Sequence, residues 1–364
     1  MRKTFFLVCF SLLLYSNGAK GQNSEVKVLT AEELEELRNQ QLPAEAERAY
    51  NEGASAFISK NYQEAITKFN EAIERYPSFT RAYLSRGMSY AGLKSKENAF
   101  KDFDKVLELD AANSLANYEK ALIYFQDQDY QKAIEELNVA ISKNDIELKY
   151  HYQRAMAYFQ MEDYQKAIAD LDRVIGINPD FAYAYNDKGS IYKELGEMDK
   201  AVENYKLAVS KDATSKIAYN NLGATYRKQG KFDLAIEAFT NAIKIDKDFY
   251  IAYNNRGYAK LEKGDYNGAI ADFDEVTKLK HDYAFAYNNK ASVYIKLEKW
   301  EEAVKECDKA LKFNPDYGYA YYNRGIANEM LHQEEKSCED WAKAAELGVE
   351  IANSYYSNSE CNNF

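Results

Sequence analysis

The chain has 364 residues, 46% of them hydrophobic and 29% charged, a balance that excludes both a disordered polar chain and a membrane-embedded bundle. Its formal charge of −11 excludes a broad phosphate- or anionic-lipid-binding surface, so nucleic acid is not an expected partner. Four prolines in a chain rich in Ala, Glu, Lys and Leu leave few helix breakers, which favours helices throughout.

Residues 1–21 have the pattern of a signal peptide. Arg2 and Lys3 form a basic start, Thr4 to Tyr15 is an almost wholly apolar run, and Ala19 and Gly21 place small side chains before Gln22. That run is shorter than the roughly 20 residues a membrane-spanning helix needs, so no integral span is expected after cleavage. Cys9 lies inside the run, which argues against a lipoprotein site. The expected location is therefore periplasmic or extracellular. Removal of Arg2, Lys3 and Lys20 with the leader makes the mature chain three charges more acidic. Residues 22–45 read as a polar lead-in with one short helix. Thr30 and Glu33 form its capping box, Pro43 follows its end, and Leu34 and Leu37 are placed to cover what comes next.

From Ala46 the chain repeats every 34 residues without insertion, as 46–79, 80–113, 114–147, 148–181, 182–215, 216–249, 250–283, 284–317 and 318–351, here repeats 1 to 9. The eighth position is always Gly or Ala: Gly53, Gly87, Ala121, Ala155, Gly189, Gly223, Gly257, Ala291 and Gly325. The twentieth is Ala from Ala65 to Ala303, then Ser337. The twenty-fourth is aromatic or Leu except for Cys307 in repeat 8. Tyr recurs at the eleventh, and Pro77, Pro179 and Pro315 share the thirty-second, where a helix must end. Small residues at the eighth and twentieth positions allow two helices to cross closely, and large ones, such as Tyr185, Tyr219, Tyr253 and Tyr287 at the fourth, fill the space between. These residues read as core. The segment Ser337 to Ala352 departs from the pattern, and with Tyr355 and Tyr356 in the 352–364 tail it reads as a terminal cap.

This register resembles the tetratricopeptide-repeat (TPR) family over all nine repeats. The resemblance implies an all-α, right-handed α-solenoid of helix-turn-helix units, each an A helix followed by a B helix. It implies a non-enzymatic scaffold that binds a protein or extended peptide, here in the cell envelope. Two other roles are open: envelope assembly through the outer face, or service as an accessory subunit of a glycan- or lipid-handling enzyme.

The residues themselves point to no chemistry. His151, His281 and His332 fall at unrelated repeat positions, and no metal-ligand spacing, phosphate loop or nucleophile elbow occurs. No catalytic residue, metal or cofactor is expected. Cys307 reads as a buried structural thiol, and the carboxylates as a solvated face. Cys338 and Cys361 lie together in the cap of an expected exported protein, where they either bridge, pair otherwise or stay free.

In the family the concave surface is lined by the second, fifth, sixth, ninth, twelfth and thirteenth positions of helix A. Carried onto this chain, those positions hold Tyr50, Phe57, Tyr118, Phe125, Tyr152 and Phe159 in the early repeats, read as apolar anchors. Later repeats hold Asn220 and Asn221, Asn254 and Asn255, Asn288 and Asn289, then Asn323. Asn costs about 0.5 kcal/mol relative to Ala inside a helix, so its strict recurrence wants a reason. One reading is a ladder of amides gripping a peptide backbone, similar to that in the TPR superhelix of O-linked N-acetylglucosamine transferase; the other is recent duplication of the AYNN string. The two-carboxylate clamp of chaperone-binding TPR domains finds no three consecutive matching repeats.

Overall fold

The computed structural model describes residues 43–358 and 361, so the leader, the lead-in helix with its Thr30–Glu33 box and most of the final tail lie outside the described residues. Nineteen helices and no strand occur among the described residues. They divide into two compact bodies, one ending at Arg86 and one starting at Gly87. The first holds the hairpin of α1 (Ala44–Ile58) and α2 (Tyr62–Arg75), and the division falls inside α3 (Thr80–Gly92).

The second body continues with α4 (Lys96–Leu109) and then seven hairpins: α5 (Ser114–Gln126) with α6 (Tyr130–Lys143), α7 (Leu148–Gln160) with α8 (Tyr164–Ile177), α9 (Ala182–Glu194) with α10 (Met198–Lys211), α11 (Lys216–Lys228) with α12 (Phe232–Ile245), α13 (Tyr250–Lys263) with α14 (Tyr266–Leu279), α15 (Ala284–Lys296) with α16 (Trp300–Phe313), and α17 (Gly318–Met330) with α18 (Glu334–Glu346). Each hairpin packs on the next, and α19 (Glu350–Asn358) packs on the last, giving an all-α stack of tandem hairpins. None of these helices is long and apolar enough to cross a membrane.

The turn between A and B helices is the same at every repeat. Its fifteenth-position residue is left-handed: Gly196, Gly230 and Gly264, but also Lys60, Lys94, Gln128, Glu162, Glu298 and His332. The next residue's N–H reaches back to close the A helix, as in Asp265 N–H to Lys260 O at 2.8 Å and Lys299 N–H to Tyr294 O at 2.9 Å, the six-to-one bond of a Schellman end. Asp129, Asp163 and Asp265 then cap the B helices through their side chains.

The hairpin core obeys a volume rule. A Cβ on Gly257 would sit 2.8 Å from the Phe273 ring, and one on Gly53, Gly87, Gly189, Gly223 or Gly325 would meet Phe69, Phe103, Tyr205, Phe239 or Trp341 as closely. Where the eighth position is Ala, the facing residue shrinks: Leu137 opposite Ala121, Leu171 opposite Ala155 and Cys307 opposite Ala291. Cys307 is fully buried and burial pushes its thiol pKa well up, so it serves as a small apolar filler.

A second device joins the hairpins. The seventh-position cation of helix A ties down its own B helix and the preceding one. Arg154 makes a paired contact with Asp170 at 2.8 and 2.7 Å and a bond to Asn138 at 2.6 Å. Lys120 bridges Glu136 and Asp104, Arg256 bridges Asp272 and Thr240, Lys290 bridges Glu306 and Asp274, and Arg324 bridges Asp340 and Asp308. In repeat 6 the same two positions are apolar, Leu222 and Ala238, and both are buried. These carboxylates are therefore not merely a solvated face, as sequence alone suggests; Asp170, Asp272, Glu306 and Asp340 are buried.

The end of the stack is regular longer than its sequence implies. Ser337 to Glu346 continues as an ordinary B helix, and α19 follows as one further helix. Cys338 and Cys361 are disulfide-bonded with Cα atoms 5.4 Å apart, beside Trp341, Tyr322 and Tyr355.

Candidate interaction face

The A helices of repeats 5–9 bring the asparagines together, with a geometry that repeats rung by rung. The sixth-position Asn of each repeat donates to the fifth-position Asn of the repeat before. Asn221 Nδ2 donates to Asn186 Oδ1 at 3.0 Å, Asn255 to Asn220 at 2.9 Å, Asn289 to Asn254 at 3.0 Å and Asn323 to Asn288 at 2.9 Å. Asn186 belongs to this set, though sequence reading omitted it because its neighbour is Asp187 rather than Asn. Upstream the same two positions pair Tyr152 OH with Asp187 Oδ2 at 2.6 Å. Burial pushes the Asp187 carboxyl up to about 6, against the opposing effect of its bonds from Tyr152 and Asn186.

Each rung thus uses one N–H and one acceptor position internally. An amide offers two N–H donors and two acceptor positions. Among the described residues, nothing bonds to the Oδ1 of Asn221, Asn255 or Asn289, or to the Nδ2 of Asn220 and Asn254. All five side chains are half-buried, held rigid by the ladder with a donor and an acceptor left over on each pair. At the far end Asn288 spends its second group on Tyr317 OH, at 3.2 Å.

Of the early aromatics only Phe159 is buried; Tyr50, Phe57, Tyr118, Phe125 and Tyr152 are half-buried. Phe159 is only 4% exposed, packed in the core of repeat 4 with its ring 5.8 Å from Tyr164. Phe125 and Phe57 lean on Tyr130 and Tyr62, Tyr118 lies against Tyr150, and Tyr50 sits between Phe69 and Phe79. The Tyr152 ring packs on Phe181 while its hydroxyl holds Asp187. These early aromatics divide their surface between neighbouring rings and solvent, because the twelfth and fifth positions face the next helix as much as solvent. The open apolar row is the second position of repeats 5–9: Tyr183, Ile217, Ile251, Phe285 and Tyr319, each between 38 and 57% exposed. Reading that single position down the repeats finds it in the sequence.

Row and ladder meet in a depression of about 220 Å³ lined by Arg227, Asn254, Asn255, Tyr258, Tyr283, Phe285 and Asn289. Arg227 lies over the Tyr258 ring at 4.7 Å and bonds Glu262 at 3.1 Å. A larger cleft of about 520 Å³ between α16 and α18 is lined mainly by charged and polar groups, among them Arg324, which is bonded to both Asp308 and Asp340. The described residues contain no group of three His, Cys, Asp or Glu placed to hold a metal. His151 is buried, its Nε2 2.9 Å from Asp145 O.

Family models described as tetratricopeptide repeat match residues 50–114, 101–146, 148–181, 217–249, 250–283 and 284–317, and one described as TPR repeat matches 189–230. No curated protein matches the chain. Among solved structures, it is similar to a tetratricopeptide repeat protein from Parabacteroides merdae (18% identity, TM-score 0.55, covering 67% of this chain and 97% of that one). It is also similar to the C-terminal part of a TPR repeat-containing protein from Cytophaga hutchinsonii (19%, TM-score 0.54, covering 65% and 98%). These likenesses concern the fold. With repeat models matching most of residues 50–317 onto hairpins of constant spacing, the chain belongs to the tetratricopeptide-repeat family.

Proposed function

We propose that this protein is a non-enzymatic scaffold of the cell envelope that holds an extended polypeptide along the A-helix face of repeats 5–9. Membership of the family makes it a protein-interaction scaffold. The observation that carries the finer reading is the half-used amide ladder. A pair such as Asn254–Asn289 leaves the Asn289 Oδ1 and the Asn254 Nδ2 unbonded, an acceptor and a donor of the kind a peptide group in an extended chain requires.

The spacing agrees. Neighbouring packed helices lie about 8–10 Å apart, and three extended residues cover about 10 Å, so one rung serves every third residue of the guest. Each guest hydrogen bond contributes about 0.5–1.5 kcal/mol net. Replacing Asn221, Asn255 and Asn289 together by Ala removes three rungs without touching the Gly–aromatic core. Capture of envelope proteins by this variant is expected to fall at least tenfold relative to wild type. Equal capture by both would show that the partner binds elsewhere. Export is tested separately by the mass of the mature protein, whose first residue is expected to be Gln22.

A further inference from the structure

The second, fifth, sixth and ninth positions of repeats 5–9 hold only one charged side chain, Asp187, and it is buried. The chain as a whole is 29% charged, so this is a neutral strip in a strongly charged protein. Its surface consists of the asparagine amides and the exposed second-position row. Cations stand only at its border, where Arg227 is already bonded to Glu262.

Beside the ladder, five rings touch in sequence: Tyr250 to Tyr283 at 5.2 Å, Tyr283 to Phe285 at 5.3 Å, Phe285 to Tyr317 at 4.9 Å and Tyr317 to Tyr319 at 6.5 Å. The depression of about 220 Å³ opens between two of them and Tyr258, large enough for one bulky side chain. Building on the reading above, we infer that this face selects an uncharged, extended polypeptide segment and seats one of its aromatic side chains in the depression at Tyr258, Tyr283 and Phe285. A charged guest side chain laid on the strip would lose water and find only Arg227, already bonded to Glu262, at the rim of the depression, whereas an aromatic one gains ring contacts and buries area. Arg227, stacked on Tyr258, extends the aromatic wall.

The rings favour polypeptide over glycan. They lie tilted or edge-on to one another, with interplanar angles of 68°, 47° and 59° along Tyr250, Tyr283, Phe285 and Tyr317, so they form no flat platform for a sugar face. The amide pairs, by contrast, recur once per repeat along a line.

The test uses the purified mature protein and synthetic 15-residue peptides of Ser, Thr, Asn and Gly, with Leu at every third position and a central Tyr. Affinity is read by fluorescence anisotropy. Changing the central Tyr to Asp or Lys is expected to weaken binding at least tenfold, and changing it to Ala three- to tenfold. Phe285→Ser, at a 46% exposed position, is expected to erase the preference for Tyr over Ala while the protein stays folded, its melting temperature lowered only by the lost contacts to Tyr283 and Tyr317. Tyr258→Ser, on the opposite wall, serves as the second variant and is expected to behave alike. Peptides that bind regardless of charge, yet still lose affinity in the triple Asn variant, would overturn the inference and leave the A-face reading standing. Binding of cellohexaose with none of any peptide would overturn both.

Discussion

One methyl group at Gly257 puts the core rule to the test. The new Cβ would lie 2.8 Å from the Phe273 ring, so Gly257→Ala is expected to destabilise the protein by about 1–3 kcal/mol in chemical denaturation, despite the better helix propensity of Ala. Adding Phe273→Leu should recover most of that loss, because repeats 3 and 4 already pair Ala121 with Leu137 and Ala155 with Leu171. The pairing was present in the sequence all along, but a position-by-position reading records "Gly or Ala" and "aromatic or Leu" separately and misses that the two covary. Asp187 gives a second residue-scale prediction. Its native pKa of about 6 exceeds the ordinary value of 3.8, so the folded state binds the proton more tightly, and stability falls as pH rises from about 4 to 6. Asp187→Asn extends the amide ladder and keeps an acceptor for Tyr152. It is expected to gain about 1–2 kcal/mol at pH 7 and to flatten that part of the wild-type stability profile. No sequence signal revealed this carboxylate's state, since it comes from burial against the neighbouring repeat, where even its hydrogen-bond partner Tyr152 lies 35 residues away.

At the scale of helices, the seventh-position cations explain how hairpins are joined. Asp272 is buried between Arg256 and Lys260, so Arg256→Leu alone strands part of its charge and is expected to cost about 2–4 kcal/mol. The triple change Arg256→Leu, Lys260→Tyr and Asp272→Ala copies Leu222, Tyr226 and Ala238 of repeat 6 and should return close to wild-type stability; a mutant cycle by urea denaturation measures it. The 34-residue spacing and the hairpin crossing were legible because each depends on local chemistry, Pro after the B helix and small residues where helices cross, whereas six of the nine turns place Lys, Gln, Glu or His in the left-handed conformation and carry no such signal. The ion pairs were not legible either, because a charged residue in a helical pattern is read as solvent-facing until its partner on the neighbouring helix is known. The burial of Phe159 was hidden for a related reason: its position borders the groove, but it packs in the core of its repeat beside Tyr164.

For the whole molecule, acidity and binding separate in space. The chain has a net charge of −11, yet the second, fifth, sixth and ninth positions of repeats 5–9 hold one charged side chain; on the proposed reading this directs recognition toward uncharged guests and leaves the charged surface to solubility. The central claim is that the guest lies on the A-helix face. Photo-crosslinking locates it most directly, with a crosslinkable residue at Ile251 on helix A and, in a second protein, at Leu234 on helix B, positions of similar exposure at 38 and 43%. The account predicts that the captured partner crosslinks from position 251 and not from 234. Crosslinks from 234 with none from 251 would place the partner on the outer face and contradict it.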